Sequence, residues 1–172
     1  MTTFDRVWAM PNSDTFDCKP IGDLVKEHLK WAQVSCDPFS RDKRWATYTN
    51  DLNPLTKSEY HMDAIEFCNM LSLKGVELDL AIIDPPYSPR QISGCYKGIG
   101  RAVGMKETQS ALLYKGVRDA LDPMMKKGAY ALSFGWNTNG FGKGRGYSIE
   151  HILLVSHGGA HNDTICMVER KL

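Results

Sequence analysis

The sequence predicts an α/β chain, a mostly parallel sheet with helices on its faces and a C-terminal antiparallel hairpin. Three observations carry that expectation. Through residue 134, short strand-forming apolar runs alternate with segments whose apolar residues recur at helical spacing, the pattern of a parallel sheet covered by helices. The inferred strand ends fall at Asp37, Asp51, Asp84 and Trp136, so one edge of the sheet collects the chemically unusual side chains. Residues 147–156 and 164–169 both read as strands joined only by 157–163. A parallel crossover needs about a dozen residues or more, so that pair must be antiparallel.

Taken in order, residues 4–18 show neither helical nor strand periodicity and read as an irregular N-terminal arm, about 1–18. Lys19-Pro20 opens an amphipathic helix, with Ile21, Leu24, Val25, Leu29 and Ala32 on one face and proline suited to a first helical position. Gln33–Cys36 leads as a short strand into Asp37-Pro38-Phe39. Residues 46–50 read as a second strand closing on Asp51, and an acid there is placed to accept from ribose hydroxyls. Asp63 precedes a helix in which Ala64, Phe67, Cys68 and Leu71 share a face; it can cap that helix or accept from an adenine amino group. Leu78–Ile83 is a buried strand. Residues 88–104 read as a glycine-rich mobile loop, 105–125 as a helix, 128–134 as a strand and 135–146 as a second acid-free glycine loop.

A chain of 172 residues, 42% hydrophobic, supports one substantial core, so 1–172 is expected to be a single domain with no separate target-recognition domain. No apolar run approaches the roughly 20 residues that span a bilayer, and the start lacks the apolar core of a signal peptide, so a cytoplasmic protein is expected. The five cysteines are odd in number and form no CxxC pair, which fits a reducing compartment and argues against a disulfide framework or a zinc site. His151, His157 and His161 with Asp163 match no metal-ligand spacing, and no metal is expected. The Gly-X-Gly run at 140–146 opens no helix, as a dinucleotide fingerprint would require.

The chemistry concentrates at Asp84-Pro85-Pro86-Tyr87. Proline lacks an N–H and pushes the residue before it into extended geometry, so strand pairing stops with Asp84 at the tip and stiff carbonyls beside it. An exocyclic amine on a heterocycle is a poor nucleophile because its lone pair is delocalised into the ring. A carboxylate and a proline carbonyl held rigidly can accept its two N–H bonds and free that lone pair. Tyr87 can stack on the ring, a contact worth about 1–3 kcal/mol.

This tetrapeptide after a hydrophobic strand resembles the catalytic motif of amino-group S-adenosylmethionine (SAM) methyltransferases, in particular compact DNA N6-adenine methyltransferases. The resemblance implies a Rossmann-like SAM methyltransferase fold. It also implies that Asp84 and the Pro85 carbonyl hold the target amine, with Pro86 in the same rigid turn, while Tyr87 stacks on a flipped base. Asp84 also counts among the cofactor contacts it implies. The motif alone does not choose among adenine N6, cytosine N4, guanine N2 and protein glutamine, and its initial aspartate leans toward adenine. Asp37-Pro38-Phe39 resembles the family's cofactor motif, and the Lys19-Pro20 helix start is similar to one that holds the methionine part, which makes Thr15, Phe16 and Lys19 candidates. The order of motifs resembles the family's gamma arrangement. One departure stands out: where a glycine-rich turn is usual, residues 40–45 contain no glycine. Either the cofactor loop is remodelled or cofactor binding has been lost.

These readings lead to SAM-dependent methylation of adenine N6 in double-stranded DNA, by direct transfer to a flipped base. The rivals are a methyltransferase acting on RNA or a protein amide, and a catalytically silent nucleic-acid-binding subunit. Net charge is +1, yet residues 40–45, 88–104 and 137–146 carry +2, +3 and +2, gathering +7 on the expected ligand edge. Arg90, Lys97, Arg101, Lys143 and Arg145 are therefore the expected DNA-contacting residues. Sequence selectivity is either slight or falls to loops, a homodimer or a specificity subunit.

Overall fold

The computed structural model describes residues 1–87, 89–98, 100, 110–159 and 161–172. Among them the elements run β1 (Thr3–Trp8), α1 (Lys19–Leu29), β2 (Ser35–Asp37), β3 (Tyr48–Thr49), α2 (Ala64–Leu73), β4 (Leu78–Ile83), α3 (Pro89–Gly98), α4 (Ser110–Leu121), β5 (Met125–Gly135), β6 (Tyr147–Ser156) and β7 (Thr164–Lys171). One seven-stranded sheet has the order β1-β6-β7-β5-β4-β2-β3. All its pairings are parallel except those of β7, which is antiparallel to both β5 and β6. The expected α/β fold with its terminal antiparallel hairpin is what forms.

β4 shows why the two faces close. Side chains alternate along a strand, so Leu80 and Ile82 enter the core beneath α1 with Val25, Leu132 and Val155, while Ala81 and Ile83 enter the core beneath α2 and α4 with Phe67, Leu71 and Val117. Buried on both faces, it reads as a continuous apolar run rather than an alternating one. Pro20 lies in the first turn of α1. Asp63 caps α2, its carboxylate accepting from the backbone N–H groups of Ile65 and Glu66.

Two expectations about loops are corrected. The N-terminal arm contains a strand: β1 pairs with β6 from Thr3↔His151 to Trp8↔Ser156. Its side chains are nearly all exposed, so its register rests on the backbone ladder and on polar contacts to β6, Asp5 with His151 (2.9 Å) and Arg6 with Ser156 (3.1 Å), instead of a buried face. Residues 89–98, read as part of a mobile loop, form α3 with Pro89 at its start, where a missing N–H costs nothing.

A third correction concerns the 136–146 connection. β5 ends at Gly135 opposite Ile165, whereas β6 begins at Tyr147 opposite Lys171, so the connection crosses from the carboxyl edge of the sheet to its amino edge. It is pinned on the way by Glu169, 1% exposed, whose carboxylate accepts from the N–H groups of Phe141 (2.6 Å) and Gly142 (2.8 Å). A Cβ on Gly140 would lie 1.9 Å from that carboxylate, so only glycine fits. Lys143 and Arg145 consequently stand at the amino edge, where Arg145 pairs with Asp119 of α4. They do not join the other basic loops.

Candidate active site

β2 leads outward to β3 on one side and β4 to β5 on the other, so the order of the sheet reverses between β2 and β4. Crevices outside the carboxyl ends of strands at such a point are the usual ligand sites of α/β sheets. A cavity of about 820 Å3 lies there. Asn12, Ser13 and Thr15 line it from the segment before α1, Pro38, Phe39 and Arg41 from beyond β2, and Asn50, Asp51 and Asp63 from the stretch between β3 and α2. Asp84, Pro85, Pro86 and Tyr87 line it from β4, Trp136 from β5, and His157 and Thr164 from the β6–β7 turn.

All four residues of the Asp84–Tyr87 motif thus face one space. The Tyr87 hydroxyl donates to Asp84 Oδ1, and Thr15 also hydrogen-bonds that carboxylate. Burial raises the Asp84 pKa; the bonds from Tyr87 and Thr15 and the charge of Arg41 pull it back. The Tyr87 ring meets Trp136 edge-to-face at 5.7 Å between centroids, and both also border a smaller cavity of about 160 Å3 on the side of Tyr114 and Asn137. Tyr114 is fixed behind them by donating to the Phe134 carbonyl.

Asp37 lies under the floor, 3% exposed, and accepts from the Phe39 N–H at 3.0 Å, which shapes the turn after β2. Desolvation raises its pKa well above the usual carboxylate range, with further upward push from Asp84, Asp51 and Asp14. Asp51 lines the cavity and uses both oxygens on loop backbone, accepting from Asn53 N (2.8 Å) and Arg41 N (3.2 Å), which leaves each oxygen a further acceptor site. Of the other expected cofactor residues, Thr15, Pro38, Phe39 and Asp63 line the cavity. Phe16 instead packs into the core between Trp45 and Phe134, and Lys19 points away, paired with Asp23 on the exposed side of α1. Lys97 is exposed on α3, whose Gly94, Tyr96 and Gly98 reach the cavity; the Arg90 side chain and Arg101 lie outside the described residues.

Two residues that sequence reading missed organise the site. Asn50 is fully buried and ties the turn after β2 to the two ends of the β3–α2 connection: its Nδ2 donates to Pro38 O (3.1 Å) and Met62 O (3.0 Å) while its Oδ1 accepts from Met62 N (3.1 Å). Arg41 has φ 51°, the one left-handed non-glycine backbone among the described residues. That conformation costs an L-residue about 1–2 kcal/mol. The turn after Asp37-Pro38-Phe39 therefore keeps a glycine-like geometry without a glycine. The glycine expected there was the available signal; which residue inherits the conformation was not legible.

No family model matches the chain, and no curated protein matches its sequence. Solved structures do resemble it. TrmN from Thermus thermophilus superposes with a TM-score of 0.55 at 16% identity, over 88% of this chain and 48% of its own. SMU.776, a candidate methyltransferase complexed with SAH, gives 0.57 at 14% identity, over 86% of this chain and 48% of its own. YhhF from Escherichia coli, also a candidate methyltransferase, gives 0.55 at 10% identity, over 95% and 89%. The chain has the methyltransferase fold. Within that methyltransferase fold it spans about half the length of TrmN and SMU.776 and nearly all of YhhF. No helix among the described residues is long and apolar enough to cross a membrane.

Proposed function

We propose that this chain is a SAM-dependent methyltransferase that modifies adenine N6 in DNA. The observation that carries the reading is the rigid turn Asp84-Pro85-Pro86-Tyr87, which meets an acid-lined cavity at the switch point of a methyltransferase-fold sheet. Its motif supports adenine as the target, and SAH in the SMU.776 complex supports the cofactor.

The residues present fit that cofactor. The cavity's volume of about 820 Å3 lies within the usual 300–1,000 Å3 of small-molecule sites. Asp51, Asp63 and Asp84 line it with carboxylates, suited to a ligand that carries a sulfonium, an ammonium and ribose hydroxyls. SAM, when bound, supplies an electrophilic methyl group. Asp51 then takes the ribose hydroxyls, and Asp63, which caps α2 through Oδ1 and accepts from the Tyr96 hydroxyl at Oδ2 (3.3 Å), keeps lone-pair capacity on Oδ2 for the adenine amino group. Thr15 with the Pro38-Phe39 turn closes around the remainder.

Asp84 and the Pro85 carbonyl accept the two N–H bonds of the target amine. A carboxylate offers about four lone-pair sites, so the bonds from Tyr87 and Thr15 leave acceptor capacity for the substrate. Its burial makes Asp84 a stronger proton acceptor as positive charge builds on the attacking nitrogen. Tyr87 and Trp136 offer ring faces to an extruded base. The protein's contribution is positioning and preorganised charge.

The test is transfer of labelled methyl groups to an adenine-containing duplex, with single-stranded RNA and protein as parallel acceptors and the modified nucleoside identified by mass spectrometry. N6-methyladenine in the duplex is expected, and Asp84→Ala should lower its formation by about a hundredfold or more. Label appearing only in RNA or protein would replace the substrate assigned here.

A further inference from the structure

Arg41 is the one lysine or arginine among the described residues that line the large cavity. Asp42, Asp51, Asp63 and Asp84 line the same space. Its backbone is anchored at both ends, the N–H donating to Asp51 Oδ2 at 3.2 Å and the carbonyl accepting from Ser58 Oγ at 2.8 Å. Its guanidinium donates through Nη1 to the Ser13 carbonyl at 2.6 Å, which holds the side chain across the gap between the turn after β2 and the segment before α1. A strained left-handed backbone is retained at this point, though glycine would adopt it freely. Lys19, the cation that the resemblance of the Lys19-Pro20 helix start suggests for the cofactor's amino-acid end, is engaged elsewhere with Asp23.

SAM combines two cationic groups with one carboxylate. The acidic lining suits the cations, but the carboxylate would meet only repulsion unless a cation faces it. We propose that Arg41 is the anchor for the α-carboxylate of the cofactor's amino-acid moiety, and that it takes over this role from Lys19 at the position of the missing glycine. The proposal rests on the methyltransferase reading above and deepens it. A guanidinium has five N–H donors in a planar fork, so the bond to Ser13 leaves donors for a carboxylate, and the bond to Ser13 presets their direction. Arg41 thereby selects ligands that carry the carboxylate over analogues that lack only that group.

The experiment is isothermal calorimetry of the full chain with two probes, S-adenosylhomocysteine and its decarboxylated analogue S-adenosyl-3-thiopropylamine. Wild-type protein is expected to prefer the carboxylate-bearing probe by about 10–100-fold, the range of a charge-assisted bidentate contact. Arg41→Gly suits the left-handed turn, so it should fold at least as stably by thermal melt. It should reduce that preference to below about threefold through loss of S-adenosylhomocysteine affinity alone. Arg41→Gln should do the same with the loop strain retained. A preference that survives in both variants, or equal losses for both probes, overturns the proposal. So does a variant that leaves the preference intact while it weakens duplex binding and flattens its salt dependence, because Arg41 would then serve a phosphate. Wild-type protein that binds neither probe removes the methyltransferase reading itself, whereas binding of both without preference removes only the role of Arg41.

Discussion

The hydroxyl of Tyr87 donates to the carboxylate of Asp84, three residues earlier on the same turn. The bond ties the ring proposed to stack on the base to the carboxylate proposed to hold its amine, and it works against the burial that raises the Asp84 pKa. Tyr87→Phe keeps the ring and deletes the bond. Asp84 must be ionised to accept from an amine, so its pKa should set the acid side of the activity profile. Removing the Tyr87 bond raises that pKa further, and the acid limb of kcat should move to higher pH while base stacking is retained. A pH–rate profile of both proteins checks this; an unmoved limb would dissociate Asp84 ionisation from turnover.

Asp37 makes the opposite test, on stability. It is buried, and desolvation together with the neighbouring carboxylates holds its pKa well above that of the unfolded chain. The folded state therefore binds its proton more tightly, so stability is greatest below the unfolded value near about 4 and is lost as pH rises through the folded pKa. Asp37→Asn keeps an oxygen for the Phe39 N–H and removes the charge. Its melting temperature at pH 7 should rise by a few degrees, each 1 kcal/mol being worth about 2–4 °C at this size. The variant's stability should also fall less than wild type between pH 4 and 7. Equal pH slopes in thermal melts would show that Asp37 does not carry this dependence.

Glu169 is a buried carboxylate whose work is structural. Glu169→Ala would leave the Phe141 and Gly142 N–H groups unpaired inside the protein, at about 1–3 kcal/mol each. An overall loss of about 2–6 kcal/mol is expected in urea titrations. The freed 136–146 segment should also exchange its amide hydrogens faster, beginning at Phe141 and Gly142. A small loss would mean that Arg118, which donates to the Gly140 carbonyl, holds the segment without Glu169.

What the sequence revealed of this fold follows burial. β4 is covered on both faces and ends in prolines, so its run and its terminus were both legible; the β6–β7 pair was legible because its join is too short for any other geometry. β1 carries its information in a backbone ladder with a strand 148 residues away, and its polar side-chain contacts to β6, such as Asp5 with His151 and Arg6 with Ser156, leave no periodicity in its own sequence. α3 hides behind three glycines' worth of loop-like composition between 94 and 100. At the site, the motif residues and Asp51 and Asp63 were found from strand ends and a cap. Arg41 and Asn50 were not, since one acts through a backbone angle and the other through hydrogen bonds to Pro38 and Met62, which only the folded chain brings together.

The corrected path of the 136–146 connection changes which cations can meet DNA. Lys97 is exposed on α3 beside the cavity, whereas Lys143 lies at the amino edge of the sheet, near where β6 begins. Arg145 is already paired with Asp119 and is unsuitable as a probe, because its loss would disturb α4. If the cavity edge faces the phosphate backbone, each cation that contacts a phosphate contributes about 0.9 to the slope of log K against log salt on duplex DNA. Lys97→Gln should therefore weaken binding of an adenine-containing duplex regardless of its sequence and flatten the slope by roughly one unit. Lys143→Gln has the same change in net charge and should leave both quantities within error. Matching the two variants in charge separates a local contact from a general electrostatic effect, which would move both slopes alike. A shallower slope for Lys143→Gln with Lys97→Gln unchanged would place the nucleic acid on the amino edge, away from Asp84, and would count against methylation of DNA at this cavity.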